Sequence, residues 1–207
     1  MKAGDSSSDR FASLAAHPTI ARLRAALDAH RAVAAQEEAG VRKAAVALIF
    51  RTGEGGLPEL LFIKRAEYAG DPWSGQIAFP GGRAETGDAS LAETAIRETR
   101  EETGIDLASE GRIIGMLDDL RPHAIRLPAV VVRPFVALLD RNEPLVLSSE
   151  VALAFWIPFG ALTHAESWHE DTVSARGVQF NARVFRHEDH VIWGITERIV
   201  AQLLALM

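Results

Sequence analysis

Phe79-Pro80-Gly81-Gly82, followed by Ser90-Leu91-Ala92-Glu93-Thr94-Ala95-Ile96-Arg97-Glu98-Thr99-Arg100-Glu101-Glu102-Thr103-Gly104-Ile105, holds most of the information in this 207-residue chain. Ser90 and Glu93 form the Ser-x-x-Glu pattern of a helix start, and Gly104 is placed to end that helix in the left-handed conformation. The spacing predicts a helix over residues 91–103. At 100° per residue, Glu98, Glu101 and Glu102 stand at i, i+3 and i+4 and share an arc of about 100°. Leu91, Ala92, Ala95, Ile96 and Thr99 occupy the adjoining face and would bury it, which sets the three carboxylates at the edge of a core. Like charges at this spacing cost a helix roughly a few tenths of a kcal/mol. Two readings follow: a solvated acidic face partnered by Arg97 and Arg100, or a set of oxygen ligands for a hard divalent cation such as Mg²⁺. The Gly81-Gly82 turn favours the second, because glycines let backbone approach whatever the carboxylates hold.

On either side of this segment the chain alternates. Upstream, residues 43–50 and 59–63 are β-prone runs, and the Gly-rich residues 51–58 between them suit a hairpin loop. Residues 64–82 read as a long irregular loop, and such loops in compact chains are usually functional. Downstream, strand-like runs recur at 112–116, 129–138 and 151–156, then a helical turn at 158–163 and late strands at 178–185 and 190–193. Ile195, Ile199, Leu203 and Leu206 give a terminal helix its buried stripe. Near the start, residues 19–36 carry Ile20, Leu23, Leu27 and Val33 at helical spacing and read as an amphipathic flanking helix. Strands before, between and after a few helices predict an α/β domain with a mixed sheet.

Composition removes several classes of function. Hydrophobic residues make up 48% and charged residues 24%, which excludes wholesale disorder. Lys and Arg number 22 against 28 Asp and Glu, a net charge of -6, which argues against a nucleic-acid polymer as partner. The chain contains 0 Cys, so it has no disulfide, thiolate nucleophile or cysteine zinc site. Residues 1–10 are polar and lack the pattern of a secretory signal, and the apolar stretch 127–139 is broken by Arg133 and Pro134. The expectation is a cytoplasmic protein with no membrane span, organised as a tail and flanking helix (residues 1–40) and one catalytic domain (residues 41–207).

Residues 82–105 resemble the Nudix box, Gly-x5-Glu-x7-Arg-Glu-U-x-Glu-Glu-x-Gly-U with U aliphatic, and Arg97 to Ile105 match it everywhere except Thr99 at the first U. Arg97 lies fifteen residues after Gly82, one more than the consensus, and Asp88 stands near the place of the first Glu. That longer spacing, with an Asp six residues after the Gly, is similar to the coenzyme A pyrophosphatase branch. The branch signature Leu-Leu-x3-Arg-Ser, then Arg-x3-Gly-x3-Phe-Pro-Gly-Gly, is echoed by Leu60-Leu61-Phe62-Ile63-Lys64-Arg65-Ala66 and by Asp71, Gly75 and Phe79-Pro80-Gly81-Gly82. Ala66 replaces the Ser and Asp71 the second Arg, an anion for a cation in the segment that selects the substrate. The likeness runs over about residues 42–205.

The resemblance implies a Nudix-type α/β/α sandwich with a mixed β-sheet between helices. It implies hydrolysis of the diphosphate in a nucleoside diphosphate linked to another group: coenzyme A or its derivatives first, ADP-ribose or a sugar nucleotide otherwise. Mg²⁺ or Mn²⁺ would offset the phosphate charge and acidify the attacking water. The implied ligands are Glu98, Glu101 and Glu102, with a backbone carbonyl at Gly81 or Gly82. Arg97 either orients a carboxylate or is a plain surface pair. The general base is either a box Glu or Glu150. Lys64 and Arg65, with Arg121 and Arg126 further on, either meet the phosphates or are solvated loop charges. Trp73 and Tyr68 either stack on a base or anchor their loop. A non-catalytic nucleotide-binding module is the other class, separated from an enzyme by the intact three-Glu cluster. The partner expected is a small nucleotide, and helix 19–36 could pair two copies into a homodimer.

Overall fold

A computed structural model describes residues 12–36, 38–70, 73–122, 129–140, 144–175 and 177–207. At its centre is β1 (Arg42–Thr52), an almost unbroken apolar strand because both of its faces are covered. Leu48 and Phe50 face one core, shared with Ile20, Leu23 and Leu27 of α1 (Pro18–Ala29) and with Ile199, Val200 and Leu203 of the last helix (Gly194–Ala205). Ala45, Ala47 and Ile49 face a second core under α2 (Leu91–Thr103), where Ala95, Ile105 and Leu107 are buried. The architecture is an α/β/α sandwich about a mixed sheet, as expected.

The sheet is splayed where it matters. On one edge β1 runs parallel to β6 (Val130–Leu139) from Arg42 to Phe50, and β6 pairs antiparallel with β5 (Gly111–Met116). On the other edge β1 changes partner. Its end, Phe50 to Thr52, pairs with β2 (Pro58–Arg65), while Ala44 to Val46 pair with β4 (Gly81–Arg83). Beyond Leu60, β2 leaves β1 to pair with β3 (Ile77–Ala78), and its far edge takes β7 (Val151–Pro158). The Ala47 N–H donates to the Pro80 carbonyl at 2.8 Å across the opening, which brings Gly81 and Gly82 under α2. Within residues 64–82, read as irregular, β3 and β4 are two and three residues long, too short for periodicity to show.

Two further differences have local causes. α1 ends at Ala29, and His30 is already extended. The backbone of the following residues is claimed by two distant carboxylates: Val33 N–H donates to Asp118 at 2.8 Å and Ala35 N–H to Asp119 at 2.9 Å, while Asp119 N–H returns a bond to the Val33 carbonyl. Arg133 clamps Asp119 from behind through two bonds of 2.7 and 2.8 Å. Asp119→Ala should therefore lose about 2–4 kcal/mol in urea unfolding, because it strands the Arg133 guanidinium and frees the 33–35 strap together. A strand absent from the sequence reading, β8 (Trp168–Ala175), pairs with β9 (Val178–His187), which carries β10 (His190–Trp193) on its other edge. The cross-strand pairs Glu170–Arg183 and Asp171–Arg186 explain why so charged a run forms a strand. Among the described residues no helix is long and apolar enough to cross a membrane.

Candidate active site

The helix start and stop are as read. Ser90 Oγ accepts from the Glu93 N–H at 3.2 Å, the Glu93 carboxylate accepts from the Ala89 N–H at 2.9 Å, and Gly104 closes the helix at φ 74°. α2 docks on β1 and β4 with Thr94, Ala95, Thr99, Glu102 and Thr103 buried. The three carboxylates therefore meet different surroundings. Glu102 is 3% exposed; its Oε2 accepts from the Gly81 N–H at 2.9 Å and its Oε1 lies 3.8 Å from the Arg65 guanidinium. Burial outweighs those two contacts and, with Glu98 and Glu150 nearby, pushes Glu102 up to about 7. Burial also pushes Glu98 upward, against the hydrogen bond it receives from Arg97. The Glu98 carboxylate presses on Gly82, where a Cβ would stand 2.4 Å from its carboxyl carbon. Glu101 points away: its half-exposed side chain takes a 3.1 Å bond from Arg97 and is not part of the cavity wall.

Arg97 is the hub. Its Nε and Nη2 bond the two oxygens of Asp88 at 3.0 Å each, its Nη1 reaches Glu98 at 3.0 Å, and Nη2 also donates to the Arg83 carbonyl at 3.0 Å. Asp88 accepts two more bonds, from Thr94 Oγ1 at 2.8 Å and the Glu85 N–H at 2.9 Å, and Arg97 above all holds it well below the usual carboxylate range. Asp88 thus braces Arg97, and Arg97 orients Glu98. This is a built network and not a solvated pair.

Glu98, Glu102 and Glu150 share a cavity of about 560 Å³ with Gly81 and Gly82, a volume suited to one nucleotide-sized ligand. Among the described residues its cations are Arg65 and Arg83. The register of β2 against β7 shifts between Lys64 and Arg65, at the point where Arg65 enters the wall; Lys64 does not line the cavity. Arg83 was missed in the sequence, although its place directly after Gly81-Gly82 was a usable signal. Arg121 is spent elsewhere: its guanidinium pairs with Glu38 at 2.8 Å and the Gln36 carbonyl at 2.9 Å, and it does not line the cavity. Arg126 and Asp71 lie outside the described residues. Trp73 packs with Ala44, Val130 and Val132 and forms part of the apolar far wall, so it anchors the loop and faces the cavity at once. Tyr68 does not line the cavity; its hydroxyl donates to the Ser149 carbonyl at 2.8 Å.

Known proteins share this framework. The family model described as the NUDIX domain matches residues 40–176. The chain belongs to the Nudix family. Among relatives of this Nudix protein, one from Photorhabdus laumondii named "Uncharacterized Nudix hydrolase NudL" is 34% identical over 147 residues, covering 70% of this chain and 75% of that one. A protein of the same name from Yersinia pestis is 33% identical over 147 residues, covering 70% and 71%. The crystal structure of a NUDIX hydrolase from Alicyclobacillus acidocaldarius shares the fold at a TM-score of 0.52 and 22% identity, over 83% of this chain and 93% of that one.

Nudix hydrolases use divalent metal ions, and two features here fit a hard cation. Glu102 is buried and Glu98 partly so, Glu98 raises the proton affinity of Glu102, and the glycine turn against them leaves backbone oxygen within approach. Among the described residues no three acidic or histidine side chains are drawn together as a metal cluster, and Glu101 is bonded to Arg97. This has a pH signature. With Glu102 at about 7 in the folded chain and at its ordinary 4.5 unfolded, the folded state binds more protons between those values. Its contribution is full below about pH 4.5 and fades as pH rises through 7, on the order of 3 kcal/mol in all. In chelator, Tm should fall from pH 5 to pH 8; Glu102→Gln should flatten most of that slope, and Mg²⁺ should restore Tm at pH 8 in the parent only.

Proposed function

We propose that this Nudix enzyme hydrolyses the diphosphate bond of a nucleoside diphosphate linked to another group, with coenzyme A and its derivatives as the substrate class. The observation that carries the reading is the pairing of buried Glu102 with partly buried Glu98 against Gly81–Gly82, in a cavity that also holds Arg65 and Arg83. Glu98, Glu102 and the Gly82 carbonyl would hold Mg²⁺ or Mn²⁺, with Glu101 joining by rotating away from Arg97. When bound there, the cation supplies positive charge against the diphosphate and acidifies water.

The chain's own residues supply the rest. Arg97, braced by Asp88, fixes the Glu98 carboxylate, and the Gly81 N–H fixes Glu102. Arg65 and Arg83 meet the non-bridging phosphate oxygens, so Arg83→Ala should raise KM about tenfold with a smaller change in kcat. Glu150, exposed at the mouth, takes the proton of the attacking water. Support for coenzyme A comes from the Leu60-Leu61 to Arg65 and Gly75 to Gly82 signature and from an apolar far wall of Val46, Trp73, Val130, Val132 and Ile195, suited to an uncharged arm. The test is a panel of coenzyme A, ADP-ribose, sugar nucleotides and dinucleoside polyphosphates with Mg²⁺ or Mn²⁺, read by chromatography. Phosphopantetheine and adenosine 3′,5′-bisphosphate as the fastest-formed products support the reading. Faster cleavage of another member overturns the substrate class, and no cleavage with either metal overturns the enzyme.

A further inference from the structure

Glu150 sits on an exposed turn, where a glutamate would ordinarily sample many positions. Here the turn is tied on both sides. On the incoming side, the Val146 N–H donates to the Thr103 carbonyl at 3.0 Å and the Ser148 N–H to the Glu102 carbonyl at 3.1 Å, hanging the segment from the end of α2. On the outgoing side, the Ala66 N–H donates to the carbonyl of Glu150 itself at 2.8 Å. The Tyr68 hydroxyl donates to the neighbouring Ser149 carbonyl, also at 2.8 Å. Of these four bonds, only the last comes from a side chain. Tyr68 is itself fixed by its N–H to Ser74 Oγ at 2.8 Å, in the same loop that carries Trp73 and Gln76 into the cavity wall. Its ring is 49% exposed and lines no part of the cavity, so packing and substrate contact do not explain its place.

We infer that Tyr68 is a positioning residue: its phenol holds the Ser149–Glu150 turn so that the Glu150 carboxylate stays over Glu98 and Glu102. The inference rests on Glu150 serving as the base. It also links the two ends of the cavity, because the loop that presents Trp73 is the loop that steadies Glu150.

Tyr68→Phe removes one oxygen and leaves the ring. The experiment is a two-by-two set of parent, Tyr68→Phe, Glu150→Gln and the double variant, with kcat and KM measured on the best substrate of the panel and Tm on each protein. Expected is a five- to tenfold loss of kcat in Tyr68→Phe, of the order one lost hydrogen bond allows, with KM and Tm close to the parent. Expected also is no further loss when Tyr68→Phe is added to Glu150→Gln. If Glu150→Gln is slow but Tyr68→Phe matches the parent, or if the two losses multiply, the inference is overturned while Glu150 remains the base. A Glu150→Gln enzyme as fast as the parent overturns both. A fall in KM affinity or Tm that accounts for the whole Tyr68→Phe loss marks an ordinary surface bond and overturns the positioning role.

Discussion

Glu98→Gln is expected to lower kcat by about 100- to 1,000-fold while the protein stays folded. The substitution keeps size and shape, and the amide oxygen can still accept from Arg97 at the 3.0 Å position that Glu98 Oε1 holds now. What it removes is the negative charge, the one property a cation site needs at this point. Stability should hold or rise, because burial already penalises the charged form of Glu98. Kinetics at saturating Mg²⁺ beside a urea melt separate the two effects. Glu101→Gln is the control: its side chain is half-exposed and outside the cavity wall, so its loss should be smaller, about tenfold. An equal loss at both positions would show that Glu101, once turned away from Arg97, matters to the cation as much as Glu98 does.

Gly81→Ala and Gly82→Ala, one residue apart, should fail in different ways. At Gly81, φ is 149° and a Cβ would meet the Ala45 carbonyl oxygen at 2.2 Å and the Val46 Cα at 2.6 Å. Both obstacles are backbone of the central strand and cannot step aside. Gly81→Ala should therefore cost at least about 3 kcal/mol and loosen the β1–β4 pairing, with a large drop in the denaturation midpoint. At Gly82 the obstacle is the carboxyl group of Glu98, the far end of a flexible side chain. Gly82→Ala should fold with a near-normal midpoint and lose activity about 100-fold, because Glu98 is pushed off the position that Arg97 sets. The pair thus distinguishes a glycine required by the sheet from one required by the site.

What the sequence showed best was local chemistry. Ser90, Glu93 and Gly104 mark the ends of α2 because capping is settled within a few residues, and the apolar runs of β1, β2 and β6 stand out because both faces of those strands are buried. Helical geometry also put three glutamates on one side of α2. It could not say that Glu102 would be buried and Glu101 left in solvent, since that depends on how α2 is seated on β1 and β4. The end of α1 at Ala29 was hidden for the same kind of reason: the acceptors that unwind residues 33–35 are Asp118 and Asp119, far along the chain. Arg121 could be read as a phosphate contact or a loop charge until its pairing with Glu38 was visible, and Arg83 reached the cavity wall only through β4. Asp88, which looked like a slipped Glu, found its meaning in the bidentate grip on Arg97.

We propose that a divalent cation held at Glu98 and Glu102 lets this Nudix chain cleave a diphosphate. Phosphorus-31 NMR of coenzyme A and ADP-ribose, incubated with the parent protein and with Glu98→Gln, with Mg²⁺ and then with chelator, tests it most directly. The diphosphate resonances should give way to phosphomonoester resonances for at least one of the two substrates, only with Mg²⁺ and only at the parent's rate when Glu98 is intact. Unchanged diphosphate in every tube, or equal cleavage by parent and Glu98→Gln, would contradict it.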